Sequence, residues 1–367
     1  MKVIVSGGGT GGHIYPAISI AEEIKKNIKD VEILYIGTKG SLEEELVSRT
    51  DYLFKSIRVK GMPRRLNKKS LIALKELMIG LSQAKRIIKE FKPDVVIGTG
   101  GYVSGPIVYA AANSKVPTLI HEQNAFPGIT NKILARYVDK VLITFEDSRK
   151  YFKDKEKTVL TGNPIRSEII NVDREVAYET LGIKRDKPFI VSFGGSGGQK
   201  SLNNSILESL EDFSKADYQV LHITGKNNYD KFLNDMLDKG IKASDDIRIV
   251  SYFNEMPKAL NLADLVITSG GAITLAEISA IGVPGILIPK AYTAENHQEY
   301  NARSFQERGA AIMVLEKDLA DINLFTLVKD IVEDKDKLDN MRIKSKELGL
   351  TKANSLIFEE IEKLVKI

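Results

Sequence analysis

Residues Val3 to Pro16 read VIVSGGGTGGHIYP: a short apolar strand, a glycine-crowded loop through Thr10-Gly11-Gly12-His13, and the start of an amphipathic helix predicted over Ile14 to Ile28. Glycines let backbone N–H groups approach a ligand closely, and the helix start carries partial positive charge, so the element suits an anion or a polar sugar. The ionisable ring of His13 is built into it. The same order returns halfway along the chain in Phe189 to Asn203, FIVSFGGSGGQKSLN, without a histidine. Strand, glycine loop and helix twice over predict two similar halves facing each other.

Working outward, short apolar runs alternate with helical patterns. Strands are predicted at Lys2 to Ser6, Val31 to Ile36, Val95 to Gly98, Thr118 to His121, Lys140 to Thr144 and Thr158 to Thr161. The second half repeats the scheme at Phe189 to Phe193, Tyr218 to Thr224, Ile247 to Val250, Leu265 to Thr268, Gly285 to Ile288 and Ile312 to Val314. Such βα series build parallel sheets covered on both faces, with ligands at the carboxyl ends of the strands, where each glycine loop here falls. The fold class is α/β. Gly162-Asn163-Pro164 interrupts the series and sets a hinge between a domain of residues 1–161 and one of residues 162–344. The final helical stretch, about residues 345–367 with its last helix at Asn354 to Val365, is expected to return to the first domain.

The chain of 367 residues is 43% hydrophobic and 28% charged, which suits two soluble domains with their own cores. No run approaches the roughly 18 apolar residues of a spanning helix, and no signal-peptide pattern precedes Lys2, so the expected compartment is the cytoplasm. It contains no cysteine, hence no disulfide or thiolate site. His13, His121, His222 and His297 are scattered, with no HxH or HxxxH pair, and no metal centre is expected. The net charge is only +4, but Lys55 to Lys92 holds 12 Lys/Arg against Glu76 and Glu90. An anionic surface or substrate is expected there, and charge alone leaves nucleic acid and anionic lipid both open. In the predicted helix Ser70 to Phe91, Leu74, Leu77, Met78, Leu81, Ala84 and Ile88 form the core-facing stripe. Ile72 and Ile79 fall off it, near Lys68, Lys75 and Arg86, as a membrane interface or a packing surface would require.

Gly7, Gly9 and Gly12 satisfy G-x-G-x-x-G, the dinucleotide fingerprint. The second strand, however, ends in Gly37-Thr38 rather than the acid that grips ribose in such folds, and this argues against a dehydrogenase. A third loop, GTGGYVSGP at Gly98 to Pro106, joins the first in outlining a backbone-lined pocket with Gly100, Gly101 and Tyr102. His121-Glu122-Gln123-Asn124 ends a buried strand with four polar side chains, either for a ligand or as a network that satisfies itself. In TSGGAITLAE, Thr268 to Glu277, a helix start at Ala272, Ile273 and Thr274 offers N–H groups to a phosphate, and Glu277 lies one turn on. A carboxylate there takes two ribose hydroxyls, or is simply exposed. Gln298 opens a later helix with an amide that reads sugar hydroxyls. His297 reads as a polar helix-start residue and His222 as structural.

Taken in order, GGTGGHIYPA, GTGGYVSGP, HEQNAFPGITN, GNPIR, GGSGGQKSLN, GAITLAE and QEYNA make a chain that resembles the MurG family of peptidoglycan glycosyltransferases, in glycosyltransferase family 28, from Val3 to about Ala302. The resemblance implies a GT-B fold, two Rossmann-like domains with parallel sheets facing across a cleft. It implies UDP-N-acetylglucosamine as donor and lipid I, an undecaprenyl-diphosphate-linked muramyl pentapeptide, as acceptor, with lipid II as product and no nucleic acid partner. It gives Glu277 to ribose, Ala272, Ile273, Thr274 and Ser196 to the donor's diphosphate, Leu275 and Ala276 to the donor, Arg166 to the diphosphate charge, and the main chain near Phe253 to uracil. Gln298 and Asn124 would hold the sugar, Thr10, Gly11 and Gly12 would close over the donor, and His13 would be the general base. Gly100, Gly101, Tyr102, His121 and Glu122 would line the acceptor site. The membrane face would hold Lys68, Ile72, Lys75 and Ile79, placing the enzyme peripherally on the cytoplasmic side of the cell membrane, beside other cell-wall synthesis proteins. No cofactor or obligatory metal is implied. Ser269 and Gly197 depart from the family, which often has an Arg and a bulkier polar residue there. Alternatives of the same fold are a diacylglycerol glycosyltransferase and a UDP-N-acetylglucosamine 2-epimerase, and of another class a non-catalytic UDP-sugar-binding subunit.

Overall fold

A computed structural model describes residues 1–61, 68–195 and 197–366. Its chain forms two compact units, Met1–Ile165 with the segment from Lys352 onward, and Arg166–Thr351. In the first unit the strands are β1 Lys2–Gly7, β2 Glu32–Gly37, β3 Leu53–Ser56, β4 Val95–Gly100, β5 Thr118–Glu122, β6 Lys140–Ile143 and β7 Thr158–Leu160. Helices α1 Gly11–Asn27, α2 Leu42–Val47, α3 Lys68–Phe91, α4 Ser104–Asn113 and α5 Ile129–Leu134 lie between them. All pairings are parallel, in the order β3-β2-β1-β4-β5-β6-β7. The order reverses direction between β1 and β4, so the loops leaving these two strands flank the crevice where ligands bind in such sheets.

Alternation along the strands divides this core. Ile4 joins Ala84, Ile88 and Ile107 on the side of α3 and α4, whereas Val3 and Val5 join Ile20 and Ile24 of α1 on the other. Strand β3 escapes the sequence reading because LFKS is largely exposed at the sheet edge and offers no apolar run. Helix α1 begins at Gly11 rather than Ile14, which puts His13 within the first helical turn.

The second unit repeats the plan with β8 Phe189–Phe193, β9 Gln219–Ile223, β10 Ile247–Val250, β11 Leu265–Thr268, β12 Gly285–Leu287 and β13 Ala311–Met313 in the parallel order β10-β9-β8-β11-β12-β13. Its helices are α6 Ser167–Ile170, α7 Arg174–Leu181, α8 Lys200–Lys215, α9 Tyr229–Asp238, α10 Met256–Leu262, α11 Ala272–Ile281, α12 His297–Glu307, α13 Leu324–Val332 and α14 Lys335–Leu348. The crevice falls between β8 and β11. Residues 345–351, expected in the returning segment, stay with this unit, where α14 packs on α11. Helix α15, Ala353–Val365, belongs to the first unit and lies against α1 with Ile357, Phe358 and Ile361 in its core.

Helix α3 turns inward a different side from the one expected. Its inner side is built from Ala73, Gly80, Ala84, Ile87, Ile88 and Phe91. A Cβ on Gly80 would stand 2.4 Å from the Arg58 carbonyl, so the chain at Arg58 lies directly on the helix backbone. In the N-terminal half of the helix small residues therefore face inward and large ones are left outside, whereas Ile87, Ile88 and Phe91 are buried toward its end. Leu71, Ile72, Leu74 and Met78 are 71%, 50%, 47% and 62% exposed, whereas Ile79 is half-buried. Leu74 and Met78 thus leave the core stripe and Ile79 leaves the exposed one. Lys75 is exposed, and the side chain of Lys68 lies outside the described residues. No helix among the described residues is long and apolar enough to cross a membrane.

Because Ile361 is fully buried against α1, Ile361→Ala is expected to destabilise the first unit by about 2–4 kcal/mol, read as a lower urea midpoint at unchanged slope.

Candidate active site

In the first unit two glycine turns meet backbone to backbone. The Gly8 N–H donates to the Gly100 carbonyl at 3.3 Å, and a Cβ on Gly101, at φ +78°, would stand 2.2 Å from the Gly8 oxygen. No side chain fits between them. This brings the His13 ring against Gly100, whose own Cβ would fall 2.8 Å from Cδ2 and 3.0 Å from Nε2. His13 Nδ1 is 3.0 Å from the Gly8 oxygen. A carbonyl only accepts, so Nδ1 carries a proton, and in the neutral form of the ring the lone pair lies on Nε2. The tautomer is that of a general base.

Residues the sequence reading passed over hold this turn. Thr99 Oγ1 donates to the His13 carbonyl at 2.7 Å, and the Tyr35 hydroxyl donates to the Gly7 carbonyl at 2.7 Å. Burial, then the nearby Glu43 charge, pushes the Tyr35 hydroxyl far above its ordinary value and keeps it neutral. Buried Glu43 accepts from Thr38 N at 3.2 Å, from Thr38 Oγ1 at 2.8 Å and from Gly9 N at 3.4 Å. None stands in a recognisable motif. Tyr102 is partly exposed and lines Gly9, and Thr10, Gly11 and Gly12 form the entry to α1, where Thr10 makes no side-chain cap.

His121 and Glu122, expected to line the acceptor site, are engaged within the first unit itself. Both are buried. His121 donates from Nε2 to the Gly162 carbonyl at 2.8 Å and accepts at Nδ1 from Gln123 at 3.0 Å, and burial holds its pKa below the usual value, so the ring is neutral. Glu122 accepts from Asn124 N and Nδ2 with one oxygen and from Gly128 N and Asn131 Nδ2 with the other. Their capacity is consumed internally. What the network presents is Asn124, half-buried, with its amide orientation set by Glu122.

In the second unit α11 starts at Ala272 with no side-chain cap on Gly271, and Ala272, Ile273 and Thr274 are partly exposed, leaving first-turn N–H groups for an anion. Leu275 is fully buried and its N–H bonds to the Gly271 carbonyl at 3.0 Å, so it is a core residue rather than a donor contact. Ala276 is partly exposed. Buried Glu277 meets Arg166, with Nε and NH2 each 2.9 Å from Oε1. Arg166, expected on the diphosphate, is thus paired with the Glu277 carboxylate, and among the described residues no hydrogen bond ends on Oε2. Burial raises the Glu277 pKa, Arg166 opposes this and Glu168 adds to it.

Gln298 accepts from Lys290 N at 3.0 Å through Oε1, which sets the orientation of its NH2 donors. A Cβ on Gly270 would stand 2.3 Å from the Gln298 carbonyl, and Asn301 Nδ2 holds the Gly270 carbonyl at 3.0 Å. The start of α12 is thereby locked to the turn before α11. Lys290 Nζ donates to the Gly198 carbonyl at 2.9 Å, and burial lowers its pKa against the opposing Glu316. Phe253 is partly exposed after β10, and Ser196 lies outside the described residues. His222 is buried, bonded to Ser192 Oγ at 3.1 Å, and pushed down to about 3 by burial, as a structural histidine should be. Among the described residues no group of three His, Cys, Asp or Glu is disposed to hold a metal ion.

Two family models cover most of the chain: the glycosyltransferase family 28 N-terminal domain over residues 3–143 and the family 28 C-terminal domain over residues 189–357. The chain belongs to glycosyltransferase family 28. Similar family 28 sequences include the UDP-N-acetylglucosamine--N-acetylmuramyl-(pentapeptide) pyrophosphoryl-undecaprenol N-acetylglucosamine transferases of Acetivibrio thermocellus, 47% identical, and Finegoldia magna, 48% identical, each over 100% of this chain and 99% of the relative. Among solved structures, Acinetobacter baumannii MurG superposes with a TM-score of 0.79 over 99% of both chains at 26% identity, and shares the GT-B fold. Neisseria meningitidis UDP-GlcNAc 2-epimerase bound to UDP-GlcNAc matches with a TM-score of 0.69 over 99% of this chain and 100% of that one, at 15% identity, a likeness of fold alone.

If Glu277 takes ribose hydroxyls as an ionised acceptor, its raised pKa means that the free protein protonates it above the ordinary 4.5. UDP affinity, measured by calorimetry, is expected to weaken as pH falls through that raised value, and Glu277→Gln should flatten this part of the profile.

Proposed function

We propose that this family 28 enzyme moves N-acetylglucosamine from UDP-N-acetylglucosamine to the C4 hydroxyl of the N-acetylmuramyl residue of undecaprenyl-diphosphate-muramyl pentapeptide. The product carries a β-1,4-linked disaccharide. The observation that carries the reading is near-half identity, over the whole chain, to relatives named for this transfer. The epimerase alternative rests on fold likeness at 15% identity. A diacylglycerol transferase or a non-catalytic subunit has no feature here in its favour.

In the proposed step, His13 Nε2 takes the acceptor proton as the oxygen attacks the anomeric carbon and the bond to UDP breaks with inversion. The hydrogen bond from Nδ1 to Gly8 supports this role because it leaves the lone pair on Nε2. UDP departs with the bonding electron pair, and its added charge meets the uncapped start of α11. Glu277, held by Arg166, takes the ribose, and Gln298 donates to the sugar through its NH2 group. Ser196 and the main chain near Phe253 complete the donor contacts, and Gly100, Gly101 and Tyr102 stand beside the base toward the acceptor. With these groups no divalent ion or cofactor is required.

Leu71, Ile72, Leu74 and Met78 beside Lys75 suit an anionic phospholipid surface, where each basic residue contributes roughly 1 kcal/mol. Helix α5 adds exposed Ile129 and Ile133, followed by Tyr137, which packs edge-on against Tyr109 of α4. The enzyme then works as a peripheral protein at the cytoplasmic face of the cell membrane, where its acceptor lies.

Labelled UDP-N-acetylglucosamine and a lipid I analogue are expected to yield a β-linked disaccharide, with EDTA present; free N-acetylmannosamine or a requirement for Mg²⁺ would contradict the reading. In the same assay His13→Ala should lower turnover by roughly 10² to 10⁴ and leave UDP affinity nearly intact. Replacing Leu71, Leu74 and Met78 together by Gln should weaken binding to anionic vesicles by roughly tenfold or more, with a soluble acceptor still turned over.

A further inference from the structure

The Gly8–Gly9 peptide is bonded at both ends. Its carbonyl, on Gly8, accepts from His13 Nδ1 at 3.0 Å, and its N–H, on Gly9, donates to Glu43 Oε2 at 3.4 Å. These are the two poles of one planar, resonance-stabilised group. We infer that Glu43 is a positioning residue for His13, its carboxylate acting on the imidazole through the Gly8–Gly9 peptide that the two residues share. The inference rests on the reading of His13 as the base.

The arrangement is built around the carboxylate. Glu43 is 1% exposed, and its other oxygen, Oε1, is held by Thr38 N and Thr38 Oγ1. A Cβ on Gly8 would meet Glu43 Oε1 at 2.8 Å and one on Gly37 would meet Glu43 Cγ at 2.7 Å. Neither glycine has a positive φ, so the missing side chains supply room rather than backbone freedom. A residue that merely ended the turn before α2 would need the Thr38 contacts alone. The bond to Gly9 reaches across to a different strand and fixes the loop that carries the base.

The electrostatic consequence has one sign. Although burial pushes the Glu43 carboxyl up, the Thr38 bonds and those of the α2 start outweigh it and hold it below the usual carboxylate range, so it is ionised at neutral pH. An anion drawing on the Gly9 N–H polarises the peptide, makes the Gly8 oxygen a stronger acceptor and favours positive charge on the ring donating to it. His13 becomes more basic at Nε2, and its ring plane is fixed. The other titratable groups facing this cluster are Tyr35 from β2, bonded to the Gly7 carbonyl and neutral, Tyr102 beside Gly9, Tyr15 beside Gly11 on α1, and Glu44 on α2, which is occupied by Gly40 N. Among them Glu43 is the ionised group bonded to the loop.

The test is Glu43→Gln in the full chain, with the His13 ring followed by NMR titration of histidine-labelled protein and assigned by its loss in His13→Ala. Removing the charge is expected to lower the His13 midpoint by about 0.5 to 1 pH unit, and to move the acid limb of the kcat profile down by the same amount. Donor KM should change less than twofold. An unmoved His13 midpoint in folded Glu43→Gln protein overturns the inference. If that variant does not fold, Glu43→Asp keeps the charge but draws it back from Gly9; the same downward shift is expected, and an unmoved midpoint again overturns it. The base reading fails separately, if His13→Ala turns over normally while the midpoint still responds to Glu43.

Discussion

The docking of the two glycine turns in the first unit is the contact on which the rest of that site depends. Gly8 and Gly101 approach so closely that a single methyl group between them would break the arrangement. Because they touch, the chain after β1 can fold back over the end of β4, and the first turn of α1 carries His13 against Gly100. The Gly8 carbonyl then accepts from His13 Nδ1, which in the neutral ring puts the lone pair on Nε2. Backbone sterics thus decide a tautomer. The supports beneath the loop, Tyr35, Thr99 and Glu43, are bonded to its main chain rather than to any ligand, which suits a surface that must be rigid before substrate arrives.

The second unit solves a different problem with the same topology. Its turn before α11 is also closed by a glycine contact, Gly270 on the Gln298 main chain, but the groups it displays are N–H donors, a carboxylate and an amide. In the proposed reading these groups recognise a diphosphate and a sugar. Polar side chains around them are largely spent on one another: Arg166 on Glu277, Lys290 Nζ on Gly198 and the Lys290 N–H on Gln298. Each pairing uses one hydrogen-bonding option and orients what remains, as when the bond from Lys290 N to Gln298 Oε1 sets which way the Gln298 NH2 group points.

The reading from sequence succeeded and failed along a physical line. Apolar runs five or six residues long, such as Phe189 to Phe193, are strands because both faces are covered, and this is visible locally. The edge strand Leu53–Ser56 has one covered face and was invisible. In α3 the large apolar residues at helical spacing were assigned to the core. The neighbouring chain at Arg58 instead presses on Gly80, so in the first half of the helix Ala73 and Gly80 face inward and Leu74 and Met78 outward. For His121 and Glu122 the residue types alone could not separate a ligand site from a closed network; the partners Gly162, Gln123, Gly128 and Asn131 decide it.

By itself the sequence determined the alternating parallel α/β architecture, its duplication, the position of each glycine turn at a strand's carboxyl end, and the kind of chemistry its motifs resemble. These follow from periodicity and backbone permissiveness, which act over a few residues. Only the tertiary structure decided which polar groups remain for a ligand. Gly9 meets Glu43 34 positions away, and Arg166 meets Glu277 111 positions away. Such pairings set the tautomer of a base and the open oxygen of an acid, because hydrogen bonds are directional and short in range and depend on which residues the sheet brings together, whatever their separation in the chain.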